Sequence, residues 1–181
     1  GHPFRSVFLN ELLVFLPIGL FVPYQRFRDL HLAHHFDPNL TDPYDDPESN
    51  YVDPMQWAVL PKPVQLVLRF NNTLCGRMLI GPLIGLQAFY VEDGRALLRG
   101  DRLIWRAYGM HLAGLLIVLI CVVQLMPLGI YILAGYLSMS VLKLRTFLEH
   151  RAYEAVPGRT VIIEDRGIFA FLFLNNNFLL I

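Results

Sequence analysis

Residues 107–142 carry no Asp, Glu, Lys or Arg. One straight passage through a bilayer takes about 20 apolar residues, so this window has room for two short spans. Met126-Pro127-Leu128-Gly129, near its middle, supplies turn residues. The pattern predicts a membrane helix over Ala107–Leu125 and a returning helix over Leu128–Leu142. Arg95, Arg99, Arg102 and Arg106 precede the pair, and Lys143, Arg145 and Arg151 follow it. Basic residues at both ends place both ends on the cytoplasmic side.

Two other apolar runs are too short or too broken to span. Leu12–Val22 is interrupted by Pro17 and closed by Pro23, and runs of about 10–14 residues are interfacial, re-entrant or buried. Met78–Val91 is interrupted by Gly81, Pro82 and Gly85 and reads as a helix lying on the bilayer surface. Asp37–Ser49 holds three prolines among Asp and Asn residues, a loop rather than a helix. Pro61-Lys62-Pro63 marks a further break. The predicted fold is therefore all-α: a membrane helical hairpin with interfacial helices. No crossing separates His2 from His31, and two separate His31 from His150, so these histidines fall on one cytoplasmic face.

Composition agrees with a membrane setting. The chain is 55% hydrophobic and 17% charged, against roughly 45–50% and 25% in soluble domains. Fifteen basic residues balance fifteen acidic ones, which argues against nucleic acid, since phosphate binding needs a basic surface. Cys75 and Cys121 lie far apart in apolar contexts and read as packing residues, not as a disulfide or a zinc knuckle. Gly76, Gly81 and Gly85 lack the strand-turn-helix context of a dinucleotide site. The chain opens on Gly1-His2-Pro3 and stops inside the apolar run Phe178-Leu179-Leu180-Ile181. It is expected to be one domain, 1–181, incomplete at both ends.

The chemistry concentrates at His31-Leu32-Ala33-His34-His35, which holds three of the six histidines. Positions i, i+3 and i+4 share one helical face. Neutral imidazoles grouped this way suit iron, copper, zinc or nickel; the plainer alternative is a solvated polar face. His150, in Arg145-Thr146-Phe147-Leu148-Glu149-His150-Arg151, is either a ligand or a residue complementing a helix C-terminus. His111, one turn into the first span, reads as a buried, hydrogen-bonded core histidine. Asp37, Asn39 and Glu48 partly echo a calcium loop, but Asp42 stands where that loop needs glycine. Asn175-Asn176-Asn177 interrupts an apolar stretch and must line a polar cavity or begin a helix.

Taken together, these pieces resemble the membrane-bound fatty acid desaturase and hydroxylase family, whose mark is three histidine boxes. His31, His34 and His35 match its second box, His-x-x-His-His. Gly1-His2-Pro3 resembles the end of the first. Asn39-Leu40-Thr41-Asp42-Pro43 through Asp46-Pro47-Glu48-Ser49 resembles the stretch after the second box in bacterial members. Arg145–Arg151 resembles the segment after the last hairpin, where a further histidine helps hold metal, and Asn175–Asn177 resembles the lead-in to the third box. The chain departs from the family where that box should follow: Phe178-Leu179-Leu180-Ile181 stands there instead.

The resemblance implies an O2-dependent enzyme with two non-haem irons, held by His2, His31, His34, His35 and His150 within this chain, in a multi-pass bacterial inner-membrane protein. It implies no catalytic residue beyond the metal ligands. The substrate class is a lipid acyl chain, sheltered by hairpin residues such as Leu112, Leu115 and Leu116, and electrons come from an external ferredoxin- or cytochrome-type donor. Desaturation is the leading reaction. Hydroxylation or ketolation of alkanes, fatty acids or carotenoids on the same scaffold is the alternative, and a non-catalytic metal-binding membrane fragment is the third.

Overall fold

A computed structural model describes residues 4–17, 19–36, 52–149 and 167, without the side chains of 34–36 and 146–149. Eight helices make up the described chain: α1 (Val7–Leu13), α2 (Tyr24–Phe36), α3 (Pro54–Val59), α4 (Lys62–Asn71), α5 (Leu74–Leu79), α6 (Gly81–Leu98), α7 (Arg102–Leu125) and α8 (Leu128–Glu149). No strand occurs among the described residues, so the fold is all-α.

Two helices are long and apolar enough to cross a membrane, Arg102–Leu125 and the Leu128–Arg145 portion of α8. With 24 residues, α7 is about 36 Å long, which exceeds a hydrocarbon core of about 30 Å. The expected ends at Leu125 and Leu128 coincide with the observed ones. Both helices start or finish beyond the charge-free window, because Arg and Lys are good helix formers and continue a helix into water. Leu112, Leu116, Ile120 and Leu133 are exposed on the chain itself, as lipid-facing side chains are.

The chain falls into two compact units, residues 1–29 with 83–138, and residues 30–82 with 139–181. In the first unit, α1 opens at Ser6, whose hydroxyl accepts from the Leu9 N–H. It ends at Leu13, short of Pro17. The non-helical segment that follows lies against α7 and α8. A Cβ on Gly114 would overlap the Phe15 carbonyl oxygen, while Leu20 and Phe21 lie at ordinary contact distance from Gly135. Glycine is what lets backbone come this close to a membrane helix. Gly100, at φ +81°, closes α6 in the left-handed conformation that glycine adopts without strain. Asp101 then caps α7, its carboxylate accepting from the N–H groups of Leu103 and Ile104 at 2.9 and 3.2 Å.

In the second unit, α3 ends at the Leu60-Pro61 break and α4 begins with proline in its first turn, where the missing N–H costs nothing. Helix α5 packs on α4 so closely that a Cβ on Gly76 would overlap the Phe70 carbonyl. Ser140 donates from its hydroxyl to the Met78 carbonyl at 2.7 Å.

Two expectations need correction. Gly85 does not break Met78–Val91; the break falls at Ile80, and α6 runs unbroken through Gly85. A lone interior glycine costs a helix only about 1 kcal/mol. Cys75 and Cys121 are free and exposed, not packed within the chain. An apolar sequence context does not by itself imply burial within the chain.

Candidate functional site

The histidine cluster stands on a helix, as its spacing requires. Helix α2 begins directly after Pro23 and contains no proline or glycine across its 13 residues. Asp37-Pro38 follows it in the sequence, and a residue before proline is pushed away from helical geometry. At about 100° per residue, positions 31, 34 and 35 fall within an arc of about 100°. His31 is half-buried and engaged in interactions of its own.

The other candidate ligands lie beyond what the structure describes. His2 and His150 are outside the described residues, as are the acidic loop 37–49 and Asn175–Asn177, and the side chains of His34 and His35 are not described. Among the described residues, no three of His, Cys, Asp and Glu are grouped in a way that could hold a metal ion. The donor set fits a group that takes imidazole nitrogen, because three imidazole-bearing positions share one side of one helix.

The first turn of α2 is held by a charged pair that the sequence reading does not single out. Arg26 meets Asp93 of α6 through two nitrogens, at 2.6 Å from Nη2 and 2.9 and 3.1 Å from Nε. Asp93 is 1% exposed and Arg26 13%. The hydrogen bond that Arg26 donates to Asp93 outweighs burial and raises the Arg26 pKa above the ordinary arginine value, so the guanidinium stays charged. A fork-on-carboxylate geometry fixes orientation as well as distance. Glu92 and Asp93 are adjacent carboxylates in the sequence, and only the burial of Asp93 singles it out, since buried charges are almost always paired.

Weaker pairs surround this one. Arg28 reaches Glu11 at 3.3 Å and Asp29 at 2.8 Å, and Arg106 approaches Glu11 at 3.8 Å. Tyr90 of α6 donates from its hydroxyl to the Phe21 carbonyl.

His111 is the buried, hydrogen-bonded core residue expected. It is 7% exposed, and its Nε2 lies 3.2 Å from the Leu20 carbonyl oxygen, to which the imidazole N–H donates. Its Nδ1 has no partner among the described residues. The ring borders a small cleft formed with Val14, Phe15, Pro17, Tyr24, Gln25 and Met110. Its visible work is to satisfy backbone that no helix satisfies.

A family model described as fatty acid desaturase matches residues 1–179. No curated protein and no solved structure matches the chain. The match covers nearly the whole sequence and takes in every candidate ligand, the Leu12–Val22 run and both apolar helices. Family and helices together associate the chain with a membrane and with lipid substrates, and the family's chemistry is generally oxidative and diiron-dependent. This chain belongs to the fatty acid desaturase family.

Proposed function

We propose that the chain is the core of an O2-dependent membrane enzyme that introduces a double bond into a lipid acyl chain. His31, His34 and His35 of α2 would hold metal together with His2 and His150. A pair of non-haem irons, when bound, supplies the activation of O2 needed to remove hydrogen from unactivated C–H bonds. The protein's part is placement. Helix α2 presents three imidazole-bearing positions along one face, and the exposed apolar side chains of α7 and α8 give an acyl chain a water-poor route. The histidines lie on the cytoplasmic side in this reading, with two crossings between the box and His150. Electrons arrive from a separate ferredoxin- or cytochrome-type protein.

One coincidence carries the proposal: a family match running through residues 1–179 includes three histidines at i, i+3 and i+4 on a single unbroken helix. The test is His34→Ala in the full-length protein, with lipid products read by mass spectrometry and iron counted per chain. The unsubstituted protein is expected to bind two irons and yield lipids lighter by two hydrogens. The variant is expected to insert normally and lose product altogether. Full activity in the variant removes the ligand assignment. Products heavier by one oxygen identify a hydroxylase instead, and a single zinc or no metal removes the diiron reading.

A further inference from the structure

The corner between α6 and α7 gathers four arginines that neither the fold nor the proposed chemistry uses. Arg95 lies in the last turn of α6 and Arg99 just beyond it, four residues on; Arg102 and Arg106 repeat that spacing at the start of α7. All four are exposed. Arg95, Arg99 and Arg102 make no ion pair among the described residues. Arg106 has only the 3.8 Å approach to Glu11, with its side chain 69% exposed. Of the nearby carboxylates, Asp101 caps α7 through two backbone N–H groups and Asp93 is taken by Arg26, which leaves exposed Glu92 against four guanidinium groups.

The corner is also built to stay in shape. Gly100 makes the turn in its left-handed conformation, and the Trp105 indole N–H donates to the Leu97 carbonyl across it at 3.2 Å. Large apolar side chains stand exposed among the arginines: Leu98 at 91%, Leu103 at 76% and Trp105 at 59%. The charge-free stretch of α7 begins at Ala107, the residue after Arg106. The arginines therefore sit where a spanning helix leaves the hydrocarbon, at headgroup depth. Tryptophan is enriched at that depth.

We propose that this corner is a binding site for phospholipids with anionic headgroups, the guanidinium groups taking the phosphates while Leu98, Leu103 and Trp105 enter the acyl region. Guanidinium matches phosphate by forked hydrogen bonding, and clusters of four or more basic residues beside a membrane helix read as anionic-lipid sites. An acidic protein partner would meet Leu98, Leu103 and Trp105 in the middle of the same surface, which favours lipid as the occupant. The inference rests on the membrane setting and not on the reaction, so it survives or fails independently of turnover.

The test uses the full chain reconstituted in vesicles of equimolar phosphatidylcholine and phosphatidylglycerol, each lipid spin-labelled in turn, with the immobilised fraction read by electron paramagnetic resonance. The protein is expected to select phosphatidylglycerol. The selection should weaken about fivefold for each arginine neutralised and vanish in the triple variant R95Q/R99Q/R102Q. It should remain in Arg69→Gln, a variant of the guanidinium stacked 5.6 Å from the Trp57 ring. If the triple variant does not fold, salt decides: at about 1 M, where screening falls to about 3 Å, the unsubstituted protein should lose its preference. The proposal is overturned by a preference unchanged in the triple variant or in high salt, or lost equally in Arg69→Gln. It is also overturned if the triple variant keeps its lipid preference but no longer accepts electrons from an acidic redox protein, which would assign the corner to that partner.

Discussion

Leu12–Val22 and Ala107–Leu125 are both apolar runs, yet they fold in opposite ways. The second is a continuous helix that pairs its own backbone groups and needs no neighbour to do so. The first leaves helix after Leu13 and reaches Pro23 without regular structure. Pro17 removes one N–H and blocks the turn before it, so its carbonyls must be satisfied from outside. Two of them are: Leu20 by His111, Phe21 by Tyr90. Irregular backbone at membrane depth is tolerated only where protein covers it. The lesson is that apolar composition sets where a segment lives, while length and proline set whether it stands alone.

Substitutions can break that contrast, and the largest effect should come at the segment's exit. Asp93→Ala removes the partner of a guanidinium held beside the first turn of α2. Losing one member of a buried pair costs about 3–5 kcal/mol, so thermal unfolding in detergent should show a severely destabilised protein. A change under about 1 kcal/mol would mean that solvent reaches Arg26 freely.

Gly114→Ala should come next. Its methyl would meet the Phe15 carbonyl, which belongs to main chain and cannot rotate away, and such overpacking costs about 1–3 kcal/mol. Limited proteolysis should find residues 14–23 newly cleavable while α7 stays protected. His111→Leu leaves the Leu20 carbonyl without its donor at a cost of about 1–3 kcal/mol, seen as faster amide exchange in the same segment; His111→Gln, which restores an N–H, should recover part of it. Gly109→Ala is the counter-case. No atom lies within 4 Å of its would-be Cβ, so the helix should gain up to about 1 kcal/mol. Destabilisation there would show that α7, too, depends on a neighbour.

What the sequence makes legible follows the same division. The ends of the helix pair at Leu125 and Leu128 can be read, because charge and a break at Met126-Pro127 are local signals. So can a helix under His31, His34 and His35, which their spacing demands. The Arg26–Asp93 lock cannot, since nothing local joins residues 67 apart. The exposure of Cys75 and Cys121 runs against expectation because apolar neighbours in sequence do not fix which side chains the fold buries. His111 is legible as a core residue, but its acceptor, a main-chain carbonyl, leaves no mark in side-chain identity. The meeting of His2 and His150 with the box concerns residues outside those described, and it remains a proposal.

The hydrogen bond between His111 and Leu20 joins positions 91 residues apart, and that interval has a consequence for biosynthesis. The ribosome releases Leu20 long before His111 exists. The Leu20 carbonyl must therefore find another partner until α7 has been made, and only then can the segment dock on it. Chain elongation at about 5–20 residues per second makes this a delay of seconds, during which a chaperone has access to residues 14–23.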